Sequence, residues 1–262
     1  MRKSMCSFVS RTPRAKAGTA AFTLVELLVV ISIISLLVSI IMPALGKARA
    51  LARDMKCLTM VSAQLKGVYM YASQASGLLP VGSDNPLKYA GQGTLPPISS
   101  LATFQFWLGL NQEYTGLGTL LDRRYITHEV LFCPRDDKAD PSAEYKKAYT
   151  SSTDNAWGSY LYRQLDGQAG SPPRRRLENL GNNARGRKVS VLILDAQCTM
   201  VWAGLPLKSN HNGEKCSVGL ASGTVTSVTN DGARLTLSGN TSSTYQRLDQ
   251  ILETADALCP GN

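Results

Sequence analysis

The chain has little of what chemistry usually needs. Only two histidines, His128 and His211, occur in 262 residues. None of the six cysteines forms a Cys-x-x-Cys pair, so a zinc ribbon has no support. His211 with Cys198 and Cys216 fits no common metal spacing and lacks a fourth ligand, so no metal centre is expected there. Ser209-Asn210-His211 lacks a nucleophile elbow, and no Gly-rich phosphate loop occurs, which leaves hydrolase and nucleotide-binding readings without a motif. No aromatics alternate with the arginines of Arg174-Arg175-Arg176 or with Arg185, Arg187 and Lys188. These read as solvated basic loops, and no nucleic-acid partner is expected.

Acid is also missing from the first 21 residues, which hold Arg2, Lys3, Arg11, Arg14 and Lys16. Those five positive charges leave only +4 of the net +9 for the rest of the chain, so the basic balance belongs largely to this leader. After it, Leu27 to Leu45 gives 19 consecutive residues without a charge. As a helix that run spans about 28 Å, close to a bilayer core. The positive leader predicts a cytoplasmic N-terminus, with everything after about residue 46 across the membrane. Three readings compete. A secretory signal peptide would use Ala44-Leu45-Gly46 as its cleavage site, but its apolar region would be unusually long. A plain uncleaved anchor explains length and orientation. Neither accounts for Glu26, a carboxylate at the edge of a lipid-soluble segment.

The third reading uses that residue. Phe22-Thr23-Leu24-Val25-Glu26-Leu27-Leu28-Val29-Val30-Ile31 resembles the signal of type IV prepilins and type II secretion pseudopilins. The resemblance implies that a prepilin peptidase cuts between Ala21 and Phe22 and that the Phe22 amine is methylated. Ala21 stands where that family prefers Gly. With this cut Glu26 becomes the fifth mature residue, and Pro43 falls where pilins often carry a helix-kinking proline. The resemblance further implies that Glu26 pairs with the N-terminal amine of a neighbouring pilin or pseudopilin subunit. An anion near a helix N-terminus is favoured by the peptide dipoles, and a nearby cation lowers the cost of burying it.

Beyond Leu45 the apolar positions Ala48, Leu51, Ala52, Met55, Leu58, Leu65, Val68, Tyr69 and Ala72 keep helical spacing, until Gly77 and Pro80 end it. The predicted helix, about Phe22 to Ser76, is roughly 80 Å long. The organisation expected is leader 1–21, transmembrane and assembly helix 22–45, amphipathic continuation 46–76 and globular domain 77–262. Residues 80–100 read as loop, Leu101–Leu110 and Gly118–Tyr125 as short helices, and Asp136–Asn155 as loop. Val189–Leu194, Cys198–Trp202, Ser217–Leu220, Thr224–Thr229 and Ala233–Leu237 read as strands, with Asn230-Asp231-Gly232 a hairpin turn. Ser243–Gln246 fits a capping box, followed by an amphipathic helix through Leu248, Ile251, Leu252 and Ala255. The fold class is therefore α+β: a long helix packed on an antiparallel sheet, pilin-like.

The globular part is similar to bacterial pseudopilin-like proteins in "GLGTLLDRRYITHEVLFCPRDD", Gly116 to Asp137. Their His-Asn-Gly start, followed at a set distance by Asp-Gly, survives here as His211-Asn212-Gly213 with Ser222-Gly223 after ten intervening residues. Some pseudopilins bind calcium in a loop. Asp136, Asp137 and Asp140, with Glu144, are the nearest such cluster, though not at EF-hand spacing, and no cofactor is expected to be required. For an exported domain the favoured disulfide is Cys198–Cys216, worth roughly 3 kcal/mol by chain entropy, with Cys57–Cys133 second. The expected function is that of a non-enzymatic assembly subunit. It would be held in the bacterial inner membrane by one pass and drawn with other subunits into a periplasmic or surface fibre. The alternative is an anchored or signal-peptidase-released periplasmic binding module or hydrolase.

Overall fold

The computed structural model describes residues 22–80, 100–109, 112–136, 140–166, 176–183, 185–195, 197–198, 210–237 and 244–260. By compactness the chain falls into two units, Met1–Arg49 and Ala50–Asn262.

Helix α1 (Leu24–Gln74) contributes to both. In the first unit every described residue from Phe22 to Arg49 is exposed, including the whole uncharged run. Among the described residues α1 is the one helix long and apolar enough to cross a membrane. Its few hydroxyls turn back on the backbone: Ser32 Oγ donates to the Leu28 carbonyl and Ser39 Oγ to the Leu36 carbonyl, both at 2.7 Å. Polar side chains satisfied within their own helix are compatible with lipid around it.

In the second unit α1 is amphipathic. Cys57, Val61, Leu65, Val68 and Ala72 are buried, a stripe at steps of three and four residues. The stripe differs from the one expected, because Leu51 and Met55 stay 61% and 66% exposed. The apolar positions before Cys57 are thus not part of the core.

A six-stranded sheet has the order β2-β1-β3-β4-β6-β7, with every neighbouring pair antiparallel. Its strands are β1 (Ser100–Leu108), β2 (Glu113–Tyr114), β3 (Ala156–Asp166), β4 (Val191–Leu194), β6 (Lys215–Leu220) and β7 (Val225–Thr229). Short strands β5 (Gln197–Cys198) and β8 (Thr236–Leu237) pair in parallel apart from it. The remaining helices are α2 (Leu117–Asp122), α3 (Pro141–Thr150) and α4 (Thr244–Leu258).

Both sheet faces are covered. On one, the α1 stripe packs with Phe106, Tyr160, Tyr162, Leu192 and Ile193. On the other, Ile251, Leu252 and Ala255 of α4 pack with Trp157, Leu161, Val191, Leu194 and Val218. This explains why β4 reads as an unbroken apolar run: all four of its residues are buried. Helix α4 is also held by charge. Asp256 accepts two bonds from the Arg163 guanidinium at 3.2 and 3.0 Å, and one each from the Ser190 and Val191 amides at 3.0 Å. The carboxylate is fully buried, yet its oxygens are satisfied, which is the condition for tolerating it.

The α+β expectation holds, with a long helix and an antiparallel sheet. Three local readings are corrected and one strand is added. The stretch expected as a helix from Leu101 instead belongs to strand β1 as far as Leu108, because it pairs on both sides with β2 and β3, and Leu110 lies outside the described residues. Asp136–Asn155, expected as loop, contains α3, started by Asp140, whose carboxylate accepts from the Ser142 and Ala143 amides with Pro141 at the first turn. Strand β3 was not anticipated at all. Asn230-Asp231-Gly232 is not a hairpin turn, since Asp231–Ala233 forms a 3-10 turn and β8 pairs with β5 instead of β7. A hairpin instead joins β6 to β7 through Ser222-Gly223, with Gly223 at φ 87°, a conformation that favours glycine. Ser243 lies outside the described residues.

Candidate functional site

Among the described residues two places bring chemistry together, one in each unit. The first is the start of α1. Thr23 immediately precedes the helix, and its backbone N–H and hydroxyl both donate to Glu26 Oε2, at 2.9 and 2.7 Å. The Glu26 amide donates back to Thr23 Oγ1 at 3.2 Å. This is a reciprocal capping box, satisfying amides that the first turn leaves without helical partners. Thr23-Leu24-Val25-Glu26 carries its sequence signature, which the reading from the sequence had overlooked. Glu26 therefore has a local task within its own helix. Phe22 is 72% exposed just before that box, and Pro43 lies inside α1. Ala21 lies outside the described residues.

The second place is a buried polar cluster in the globular unit. His211 sits in a 3-10 turn (Asn210–Gly213) at φ 50°, the left-handed region. Its Nδ1 is 2.8 Å from Asp54 Oδ1 on α1, and its Nε2 is 2.7 Å from Asp195 Oδ2 at the end of β4. Asp195 is fixed by its amide, which donates to the Ser217 carbonyl of β6 at 2.8 Å. Arg135 donates to the same Asp54 oxygen at 2.8 Å. With the imidazole protonated, two carboxylates face two cations, and the group carries no net charge. Burial alone would push the His211 pKa down. The hydrogen bonds and charges of Asp195 and then Asp54 outweigh it and hold the ring above its ordinary value. Cys133 Sγ lies 3.6 Å from the same Nε2, and Cys133 is bonded to Cys57 with Cα atoms 5.5 Å apart.

Of the two disulfides set out from the sequence, the structure carries Cys57–Cys133. Cys198–Cys216, the favoured one, is not formed: Cys216 is a free, buried thiol, facing the α4 core. The Cys198 side chain lies outside the described residues. Burial and the Asp195 charge push the Cys216 thiol pKa far up, as expected for an inert core cysteine.

Each described acidic residue of the calcium expectation has a partner within the protein. Asp136 accepts from the Ser159 hydroxyl at 2.7 Å, Asp140 caps α3, and Glu144 binds Lys147 and the Trp157 amide. Asp137 lies outside the described residues. Of the basic loop, Arg185 pairs with Glu253 at 2.9 Å and Arg176 donates to the Ser76 carbonyl, so both have structural tasks. Arg174 and Arg175 lie outside the described residues. His128, the other histidine, stacks on Tyr145 with ring centroids 4.1 Å apart.

Asp54 and Asp195 are the residues of the buried cluster that the sequence did not disclose. The nearest hint was the His-Asn-Gly motif, which builds the turn presenting His211.

No curated protein and no solved structure matches the chain. A family match falls on the first of the two places. Residues 16–42 match the family model for the prokaryotic N-terminal methylation motif, and the chain thus carries the prepilin-type signal of type IV pilins and pseudopilins.

Proposed function

We propose that this chain is a subunit of a pilus or of a type II secretion pseudopilus, cut between Ala21 and Phe22, methylated on Phe22 and polymerised through α1. The methylation motif carries this reading, because it ends in the same exposed apolar helix that a membrane or a bundle of like helices would cover. A helix this apolar, exposed from Phe22 onward, needs lipid or other helices around it. The partners are a prepilin peptidase, other pilin-like subunits and the inner membrane. The basic leader supports a cytoplasmic N-terminus and a globular unit on the far side. A hydrolase reading would need a nucleophile at His211, and the ring nitrogens face two carboxylates and a disulfide sulfur instead.

The test is the mass of the N-terminal peptide from native membranes. The expected species begins at Phe22 and carries one methyl group. An intact Met1 leader, or a chain beginning near Lys47, would overturn the proposal.

A further inference from the structure

The disulfide does not stand alone. Cys57 Sγ, Cys133 Sγ, a carboxylate oxygen of Asp195 and a ring nitrogen of His211 all lie within 4.8 Å of one another, and all four residues are buried. They come from four separate parts of the chain: α1, the segment after the 3-10 turn His128–Leu131, the end of β4 and the turn before β6. We propose that, once the Cys57–Cys133 bond is reduced, these four side chains bind a divalent cation of zinc-like chemistry.

Two thiolates, one imidazole and one carboxylate are a donor set suited to tetrahedral zinc. With metal–sulfur near 2.3 Å and metal–nitrogen near 2.0 Å, a tetrahedral angle puts sulfur and nitrogen about 3.5 Å apart. Cys133 Sγ and His211 Nε2 are 3.6 Å apart. Asp195 Oδ2, at 2.7 Å from Nε2, would need to move out by only about 0.6 Å to reach the same geometry. Cys57 and Cys133 have Cα atoms 5.5 Å apart, close enough for both sulfurs to reach one ion.

The outer contacts also suit a metal. Metal-binding histidines usually give their second ring nitrogen to a carboxylate, which fixes tautomer and orientation. Here Asp54 takes Nδ1 at 2.8 Å and is itself held by Arg135 at 2.8 Å, leaving Nε2 facing the Cys133 sulfur and Asp195.

The two states exclude each other. A dithiol or phosphine reductant supplies two electrons and the medium two protons, giving two thiols. The cation then displaces the thiol protons and the proton on Nε2, and Asp195 binds as the carboxylate. An added disulfide oxidant accepts the two electrons and is itself reduced to two thiols, the Cys57–Cys133 bond re-forms, a proton from the medium returns to Nε2, and the ion is released. The spacing of His211 to Cys198 and Cys216 gave no metal centre in the sequence, and the two sulfurs near it in the fold, those of Cys57 and Cys133, lie far from it along the chain.

Full-length protein in detergent, reduced with phosphine under anaerobic conditions, is titrated with cobalt(II) as the probe and then with zinc. The expected result is one cobalt per chain, with the visible band of a tetrahedral ion and thiolate charge transfer in the near ultraviolet. Zinc displaces it, and oxidised protein gives no band. His211→Gln and Asp195→Asn weaken cobalt binding about tenfold or more, and Asp54→Asn weakens it with the ligands intact. Cys259→Ser leaves the band unchanged. Each variant is checked for fold in its oxidised state, where the disulfide still closes the chain.

If reduction unfolds the wild type, cobalt must restore both band and fold. No tetrahedral band from the reduced chain, folded or not, overturns the proposal. So does a band that His211→Gln and Asp195→Asn leave unweakened, since the ion would then sit on other thiols.

Discussion

At the scale of single residues the central fact is a histidine between two carboxylates. Asp54 from α1 and Asp195 from the end of β4 hold the two ring nitrogens, with Arg135 behind Asp54 and the Cys57–Cys133 bond against Nε2. In this disulfide form His211 has a folded pKa above its ordinary 6.5. A group whose pKa is raised on folding contributes stability that is complete below the unfolded value. That contribution declines as pH rises through the folded value. The unfolding midpoint of the oxidised globular unit should therefore fall as pH is raised from about 6.5. His211→Gln should be less stable at low pH and should lose that slope. Urea titrations at several pH values check it, and parallel slopes for the two proteins would contradict it. Little of this cluster was legible beforehand. His211 and Asp54 are 157 residues apart, and a contact of that span leaves no periodic trace in sequence. Cys57–Cys133 stood second among the cysteine pairings because the preference rested on strand placement, and only folded geometry puts the two Cα atoms 5.5 Å apart.

At the scale of elements the globular unit depends on how closely α1 approaches the sheet. Gly219 in β6 faces the helix, and a Cβ there would lie 2.8 Å from Val61 Cγ1 and 3.1 Å from Leu65 Cδ1. Both neighbours are fully packed core residues, so neither has free space to withdraw into. Gly219→Ala should therefore lose about 1–3 kcal/mol, seen as a lower urea midpoint at unchanged slope. Adding Val61→Ala should lose less than the two single changes together, because the new methyl fills part of the space vacated. Additive losses would mean that the helix simply shifts away. Elements with a strong period were the readable ones. The buried run of β4, the strands β6 and β7 and the amphipathic α4 all came through, although the hairpin that joins those two strands did not. Helix α3 buries none of its residues, so it has no apolar period to detect, although Asp140-Pro141 was a legible start. Strand β1 failed for the opposite reason. Its dense apolar string suits either geometry, and only pairing with the equally unforeseen β3 decides it.

At the scale of the whole molecule the apolar helix and the methylation motif were legible because they are written in consecutive residues and need no tertiary contact. Glu26 now has two accounts, a capping box within its own helix and a charge for the amine of a neighbouring subunit. Glu26→Gln separates them. Gln serves in a capping box as Glu does, so the helix start survives while the charge is lost. The variant should be cut and inserted normally, and should then enter fibres poorly beside the wild type. A partial loss fits as well, because helix packing supplies most of the contact. Sheared-fibre yield relative to total membrane protein measures it. An unchanged yield would leave capping as the whole explanation of this carboxylate.

Asp256 stands in for a strand. The amides of Ser190 and Val191, at the entry to β4, are held by a helix side chain 66 and 65 residues further along. Their exchange with deuterated solvent is therefore governed by the attachment of α4, not by the opening of a ladder. Two positions at the head of a central strand become reporters of whether the last helix is seated, and they can be read without placing a label anywhere on that helix.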